Sequence, residues 1–151
     1  MKNYWLIKSE PDCYPIDDLK KDKKTLWTGI RNYQARNFMR DGMKVGDHIF
    51  FYHSGKDPEI VGTAQVTKTG VPDPTQFEKN NEYYDSKATR EKAPWICVEV
   101  AFVKKFKRPV TLAEIKLRPD LKGIPLAQQG NRLSVQPVSE KHFTIISKLG
   151  E

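Results

Sequence analysis

The stretch at residues 27–37 combines aromatic, cationic and amide side chains with a glycine. Trp27 and Tyr33 offer ring faces for a planar ligand, and Arg31 offers a planar cation for a phosphate. Asn32 precedes apolar residues at helical spacing and is predicted to cap a short helix, whose N-terminus adds partial positive charge. These residues equally fit a structural role, with Trp27 in the core, Asn32 only a cap and Arg31 a solvated charge.

A second polar group follows the first predicted strand. Residues 4–7 are aromatic and branched, which favours a strand, and Pro11 ends the extended segment because proline cannot donate to a β-ladder. Ser9 and Glu10 are therefore expected at the mouth of the strand, where polar groups can serve a pocket. The alternative is that both side chains satisfy backbone groups of the loop.

Residues suited to catalysis are few. His48 alternates with Phe50 in a strand pattern, which is typical of a structural histidine, and His142 lies at the end of a predicted helix. His53 differs, because it ends an aromatic strand and precedes Ser54, where side chains of a barrel point into its mouth. No phosphate-binding glycine motif and no zinc-protease motif is found in the sequence.

Composition limits the class of protein. The chain has 151 residues, of which 38% are hydrophobic, so a single domain spanning residues 1–151 is expected. The 26 Lys and Arg residues exceed the 19 Asp and Glu residues and leave a net charge of +7. That balance favours a polyanionic partner, although a lysine-rich solvated surface explains it equally well.

The two cysteines, Cys13 and Cys97, are far apart and lack metal-ligand spacing. We therefore expect no metal site, no cofactor and no disulfide, in a reducing compartment. The first residues become charged before a signal-peptide run forms, and no later segment is apolar enough to span a membrane. The sequence thus predicts a soluble intracellular protein, cytoplasmic or, in a eukaryote, nuclear.

The order of predicted elements indicates an α+β fold. Strands are expected at residues 45–52 and 60–71, joined as a hairpin, then at 95–106, with a short extended piece at 133–138. Gly62 inside the second of these strands suggests a bulge or a close backbone approach.

Short helices are expected beside these strands. They lie at residues 15–20, at 111–117 with Thr111 as its cap, and after Ser139 at the C-terminal end. Residues 72–94 show no strong element. Because this long connection contains Phe77, Tyr83 and Tyr84, we expect a binding lid rather than a disordered linker.

Four separated segments, at residues 4–11, 27–37, 51–54 and 132–138, together resemble the EVE-domain family. The resemblance extends over essentially the whole chain. It implies a PUA-like fold, a mixed β-pseudobarrel with peripheral short helices, related to YTH and ASCH domains. It further implies a non-enzymatic module that binds DNA or RNA and takes a flipped, modified base into a pocket.

Matching the motifs residue by residue places two groups of side chains at that site. The residues expected to form the base pocket, by stacking or by edge contacts, are Ser9, Glu10, Trp27, Asn32, Tyr33, Tyr52, His53, Ser54 and Ser134. The residues expected to hold flanking phosphates are Arg31, Arg36 and Arg132.

Two other functions remain open at this stage. A small hydrolase acting on a modified nucleoside would have to use Lys8, Ser9 and Glu10, yet strand neighbours such as Lys8 and Ser9 are expected on opposite faces. A protein-interaction module would use Tyr83 and Tyr84, but the sequence contains no motif that indicates this function.

Overall fold

The computed structural model describes residues 3–151, so the first two residues of the predicted domain lie outside it. Six strands of this part of the chain form one mixed sheet. They are β1 (Tyr4–Ser9), β2 (Lys24–Leu26), β3 (His48–His53), β4 (Glu59–Pro72), β5 (Ile96–Thr111) and β6 (Val135–Val138). The strand order is β2-β5-β4-β3-β1-β6, in which β1 and β3 are parallel and the other neighbours antiparallel.

Four α-helices surround the sheet within residues 3–151: α1 (Ile16–Asp22), α2 (Tyr33–Asn37), α3 (Leu112–Leu117) and α4 (Glu140–Leu149). The predicted caps are confirmed, because the side chains of Asn32, Thr111 and Ser139 each accept a hydrogen bond from a main-chain N–H three residues later. None of the helices in the described chain is long and apolar enough to cross a membrane.

Both faces of the central strands are buried, which divides the core in two. Trp5, Ile7 and Phe51 pack on one face together with Trp27. Leu6, Phe50 and Tyr52 pack on the other face, under α3 and α4. Since successive strand residues point to opposite faces, Tyr52 belongs to a different core from its neighbour Phe51 and from Trp27.

Gly62 permits the close approach that its place in a strand predicts. The pairing of β4 with both neighbours shifts register around this residue. A Cβ atom at position 62 would overlap the main-chain carbonyl of Lys104 and the side chain of Ile16. The glycine therefore lets α1 and β5 approach β4.

Two strands go beyond the prediction. The sequence left open whether a strand or a turn leads to Trp27; the structure shows a three-residue strand, β2, that ends at Leu26 and is held by antiparallel pairing with β5. Strand β5 continues to Thr111, five residues beyond the predicted end, because residues 104, 105, 110 and 111 pair with β4, although most of residues 104–111 are exposed and four of them are charged.

Candidate functional site

A cleft of about 610 Å³ opens where β1 and β2 end. Its walls come from residues 8–10 at the end of β1, residues 13 and 14, residues 25–30 at and after β2, and residues 82 and 83 between β4 and β5. The volume falls within the roughly 300–1,000 Å³ that is usual for small-molecule sites. Three segments distant in sequence thus meet at one concave surface.

Trp27 lies at the base of this cleft. Its side chain is only 8% exposed, and its ring meets Phe51 and Tyr14 edge-on, with centroids 5.5 Å and 6.1 Å away. Trp27 belongs to the core and also lines the cleft.

Ser9 and Glu10 line the cleft as predicted from their place at the strand end. The Ser9 hydroxyl donates a hydrogen bond of 2.7 Å to the main-chain carbonyl of Tyr14. The exposed Glu10 carboxylate accepts a hydrogen bond from the Cys13 thiol, and this bond is the main cause that raises the pKa of the thiol. Cys13 is therefore not an activated nucleophile.

Lys8 also borders the cleft, but its side chain lies on the other face of β1 from Ser9. Its ammonium group is 5.7 Å from the centre of the Tyr52 ring, and burial lowers the pKa of Lys8. Tyr52 itself is almost fully buried in the second core, where burial raises its pKa to about 12. The structure thus places Tyr52 away from the cleft, since it alternates with Phe51 in β3.

Three further predicted pocket residues bond to neighbouring segments and do not line the cleft. The His53 Nε2 atom accepts a hydrogen bond of 3.0 Å from the main-chain N–H of Ile16, and burial lowers the pKa of this histidine. Ser54 donates to the main-chain carbonyl of Ser9, and the carbonyl of Ser134 accepts from the N–H of Lys8. Their positions follow from pairing of adjacent strands with β1.

Asn32 and Tyr33 also lie outside the cleft lining. The Asn32 amide oxygen is occupied as the cap of α2, where it accepts from Ala35. The Tyr33 ring is 61% exposed and stacks on Trp95, with centroids 4.9 Å apart. Tyr33 is therefore a surface residue packed on Trp95 rather than a wall of the cleft.

Arg31 contacts the protein with every donor it has. Its guanidinium donates to the carbonyls of Tyr83 and Ile30, to the hydroxyl of Thr75 and to the carboxylate of Asp73. These are five hydrogen bonds, and a guanidinium carries five N–H donors. The phosphate role predicted for Arg31 is therefore replaced by an internal one, because no donor is left for an external anion.

Arg36 and Arg132 differ from Arg31. Arg36 donates to the carbonyl of Pro94 and, with two nitrogens, to the side chain of Asn37, and its guanidinium lies 4.9 Å from the centre of the Tyr33 ring. Arg132 is exposed and makes no side-chain hydrogen bond or ion pair with residues 3–151. It lies two residues before Ser134, whose carbonyl accepts from the N–H of Lys8 at the edge of the cleft.

Tyr83, like Tyr14, lines the cleft but was not among the residues that motif matching placed there. Its ring packs against Gly29, which has a positive φ of 83° and leaves room for it. The aromatic content of residues 72–94 was the available signal, since it suggested a lid without indicating which ring contacts the cleft. The segment holds one short 3-10 helix, Pro74–Phe77, and is otherwise fixed by turns and side-chain hydrogen bonds.

Charge is distributed unevenly around the cleft. Two carboxylates, of Glu10 and Glu82, lie in its lining, and Lys8 is at its edge. No group of three or more His, Cys, Asp or Glu side chains between residues 3 and 151 is placed to hold a metal ion. The cleft is therefore better suited to a neutral, partly aromatic group than to a phosphate.

Comparison with known proteins gives consistent matches over the whole chain. The model of the EVE domain family matches residues 3–149. Human thymocyte nuclear protein 1 is 40% identical, over 100% of this chain and 75% of its own length. A crystal structure of a protein from Pseudomonas syringae is 46% identical, covers 98% of this chain and 99% of its own, and superposes with a TM-score of 0.92.

Two further structures bear on ligand and fold. The human THYN1 protein, crystallised in complex with DNA containing 5-methylcytosine, is 40% identical, covers 99% of this chain and 98% of its own, and has a TM-score of 0.88. An ASCH structure from Zymomonas mobilis shares 11% identity and a TM-score of 0.56, over 99% of this chain and 96% of its own. The latter likeness concerns the fold alone and confirms the predicted PUA-like α+β class.

Proposed function

The chain belongs to the EVE domain family, and from that premise we propose that it binds nucleic acid and recognises a modified base flipped into the cleft beside Trp27. The observation that carries the proposal is the cleft itself. It combines the Trp27 and Tyr83 rings with main-chain and side-chain polar groups in a volume suited to a small planar ligand. A relative crystallised with DNA containing 5-methylcytosine supports the same ligand class.

The charges of the lining favour a base over a phosphate. Glu10 and Glu82 would repel a phosphate that entered the cleft, whereas a carboxylate accepts readily from the exocyclic amino group of cytosine or adenine. Modified bases with an exocyclic amino group, which are those of cytosine, adenine and guanine, are therefore preferred over modified thymine.

The phosphates on either side of the flipped base would be bound outside the cleft. The side chain of Arg132 donates to none of residues 3–151. Arg36 retains two N–H groups beyond its bonds to Pro94 and Asn37. Contacts of this kind carry no base information and position the strand. The net charge of +7 favours the same class of partner.

We propose further that the protein acts as a binding module and turns over no substrate. The Ser9 hydroxyl donates to a main-chain carbonyl, and the Lys8 ammonium lies on the other face of β1, so neither group activates the other. Incubation with modified nucleosides, followed by mass spectrometry, tests this. Product formation that Glu10→Gln abolishes would establish a hydrolase instead.

Fluorescence anisotropy tests the binding proposal. A panel of otherwise identical oligonucleotides would carry cytosine, 5-methylcytosine, 5-hydroxymethylcytosine, adenine or N6-methyladenine at one position, as DNA and as RNA. We expect tighter binding of at least one modified member than of its unmodified partner. Equal affinity for every member would refute selective recognition, and the absence of binding would refute the nucleic-acid function.

A further inference from the structure

Arg31 connects three points of the polypeptide that are remote in sequence. Its guanidinium donates to Asp73 and Thr75 at the start of the connection between β4 and β5, and twice to the carbonyl of Tyr83 in its middle. The Nε bond to Tyr83 is 3.0 Å long and the Nη2 bond 2.6 Å. The planar fork of an arginine matches this paired geometry, which an ammonium group cannot reproduce.

The Asp73 carboxylate, the charged acceptor of this cluster, is also well hydrogen-bonded. The Asp73 carboxylate is buried and accepts hydrogen bonds from Arg31, from the N–H of Gly29 and from Thr75. An unpaired carboxylate at this depth would be costly, so Asp73 holds the guanidinium in one place. Arg31 and Gly29 are thereby fixed to the same carboxylate.

The rings around Arg31 add a second constraint. The centre of the guanidinium lies 5.4 Å from the centre of the Tyr83 ring and 5.0 Å from that of Trp95, within the range of cation–π attraction. The Tyr83 ring in turn packs on Gly29 and lines the cleft together with Trp27. The position of one cleft wall therefore depends on Arg31.

We infer that Tyr83 is an aromatic wall of the base-binding cleft and that Arg31 is the positioning residue that holds it there. The role of the wall rests on the proposed function, whereas the role of Arg31 in holding the segment does not. Arg31 acts through Tyr83 and binds no phosphate, since all its donors are used within the protein.

Two substitutions distinguish the role of the Tyr83 ring from the role of Arg31 in holding it. Tyr83→Ala removes the ring but leaves the carbonyl to which Arg31 donates. Arg31→Lys keeps a cation beside Asp73 and leaves the ring in place, but loses the fork that fixes the carbonyl. Tyr84→Ala is the matched control, because Tyr84 is the exposed neighbouring tyrosine and does not line the cleft.

Hydrogen exchange tests, without any ligand, whether Arg31 holds the segment around Tyr83 in place. In Arg31→Lys we expect the amides of residues 83–85 to exchange about tenfold faster or more than in the unaltered protein, with core strands unchanged. Tyr84→Ala should leave Asp85 at its original rate. Unchanged exchange at residues 83–85 in Arg31→Lys would overturn the positioning role.

Oligonucleotide binding tests whether Tyr83 forms a wall of the cleft. Tyr83→Ala and Arg31→Lys should each weaken binding of the preferred modified oligonucleotide by about 5- to 150-fold, with an unchanged salt dependence. Unaltered affinity in Tyr83→Ala would refute the wall. A loss in Arg31→Lys that is equal for modified and unmodified oligonucleotides, with discrimination intact, would show that Arg31 binds a phosphate. If the unaltered protein binds no oligonucleotide, the proposed function fails, and the exchange comparison still decides the role of Arg31.

Discussion

The ring of Tyr83 lies so close to Gly29 that a Cβ atom at position 29 would approach the ring carbon Cε2 to 2.7 Å. Gly29 also has a positive φ and donates its N–H to Asp73. This contact joins the segment after β2 to the long connection after β4, and both line the cleft. The shape of the site thus depends on a glycine that contributes no side chain to it.

Gly29→Ala should therefore displace the Tyr83 ring and weaken binding of the preferred oligonucleotide. Any non-glycine residue at a positive φ costs about 1–2 kcal/mol, and the added methyl group would in addition meet the ring. Denaturant unfolding and anisotropy measure the two effects. Gly70→Ala provides the control, because Gly70 has a φ of 68° and no atom within 4 Å of the new Cβ. Equal losses in both variants would show that backbone strain alone is responsible.

Asp73→Ala should lower the free energy of unfolding by about 3–5 kcal/mol. The change leaves Arg31 without its buried counter-charge and removes an acceptor from the N–H groups of Gly29 and Thr75. Urea unfolding gives the value. Asp41→Ala is the control, since the Asp41 pair with Arg40 is exposed and should contribute nothing measurable. If Asp73→Ala had the same free energy of unfolding as the unaltered protein, the cluster would stabilise neither the fold nor the segment.

Trp27→Ala should lower the free energy of unfolding by about 3–5 kcal/mol, because the ring is packed in the first core. Loss of binding in this variant cannot then be assigned to stacking alone. Trp27→Phe and Trp5→Phe separate the two roles, since both tryptophans belong to the same core and only Trp27 lines the cleft. We expect a lower melting temperature in both variants, and a loss of discrimination between modified and unmodified base only in Trp27→Phe. Equal discrimination in the two variants would show that recognition does not require the indole ring of Trp27, since phenylalanine retains a smaller stacking face.

Stability should fall as the pH is lowered from about 7 to 5, and His53 should account for part of the fall. Burial is the main cause that holds the pKa of His53 below the ordinary value of 6.5, and its Nε2 accepts from Ile16 only when neutral. The unfolded chain then binds more protons than the folded one, so the contribution of His53 is complete above the unfolded pKa and is lost toward the lower folded pKa. Unfolding free energies measured across this range give the slope.

His53→Gln is the matched variant for this pH dependence, because the amide oxygen of glutamine accepts from Ile16 and does not titrate. We expect a flatter profile between pH 5 and 7 than in the unaltered protein. An unchanged profile would mean that His53 has the same pKa in the folded and unfolded chains.

Arg132→Ala should weaken binding of all oligonucleotides alike and reduce the salt slope by about one. A phosphate contact is independent of base modification, and its loss removes one released counterion. Anisotropy titrations at several salt concentrations measure the slope. Lys116→Ala is a suitable control, because Lys116 lies on α3, which packs against the second core away from the cleft. A selective loss for the modified oligonucleotide would instead place Arg132 at the base.

Local patterns in the sequence determined most of the elements and several of their contacts. Propensity and alternation predict β1, β3 and β4, and short polar side chains predict the caps of α2, α3 and α4, because these signals act over a few residues. Alternation along β1 also predicted that Lys8 and Ser9 face opposite ways, which the structure confirms. Matching of separated motifs identified the family and the fold.

The partners of individual side chains were decided only by the tertiary structure. The sequence presents Arg31 as a free cation, but its acceptors at Asp73 and Tyr83 lie 42 and 52 residues away. No local pattern encodes such a distance, because it arises when the connection after β4 folds back over the end of β2. The same packing brought Tyr83 against Gly29 and thereby determined which rings line the cleft.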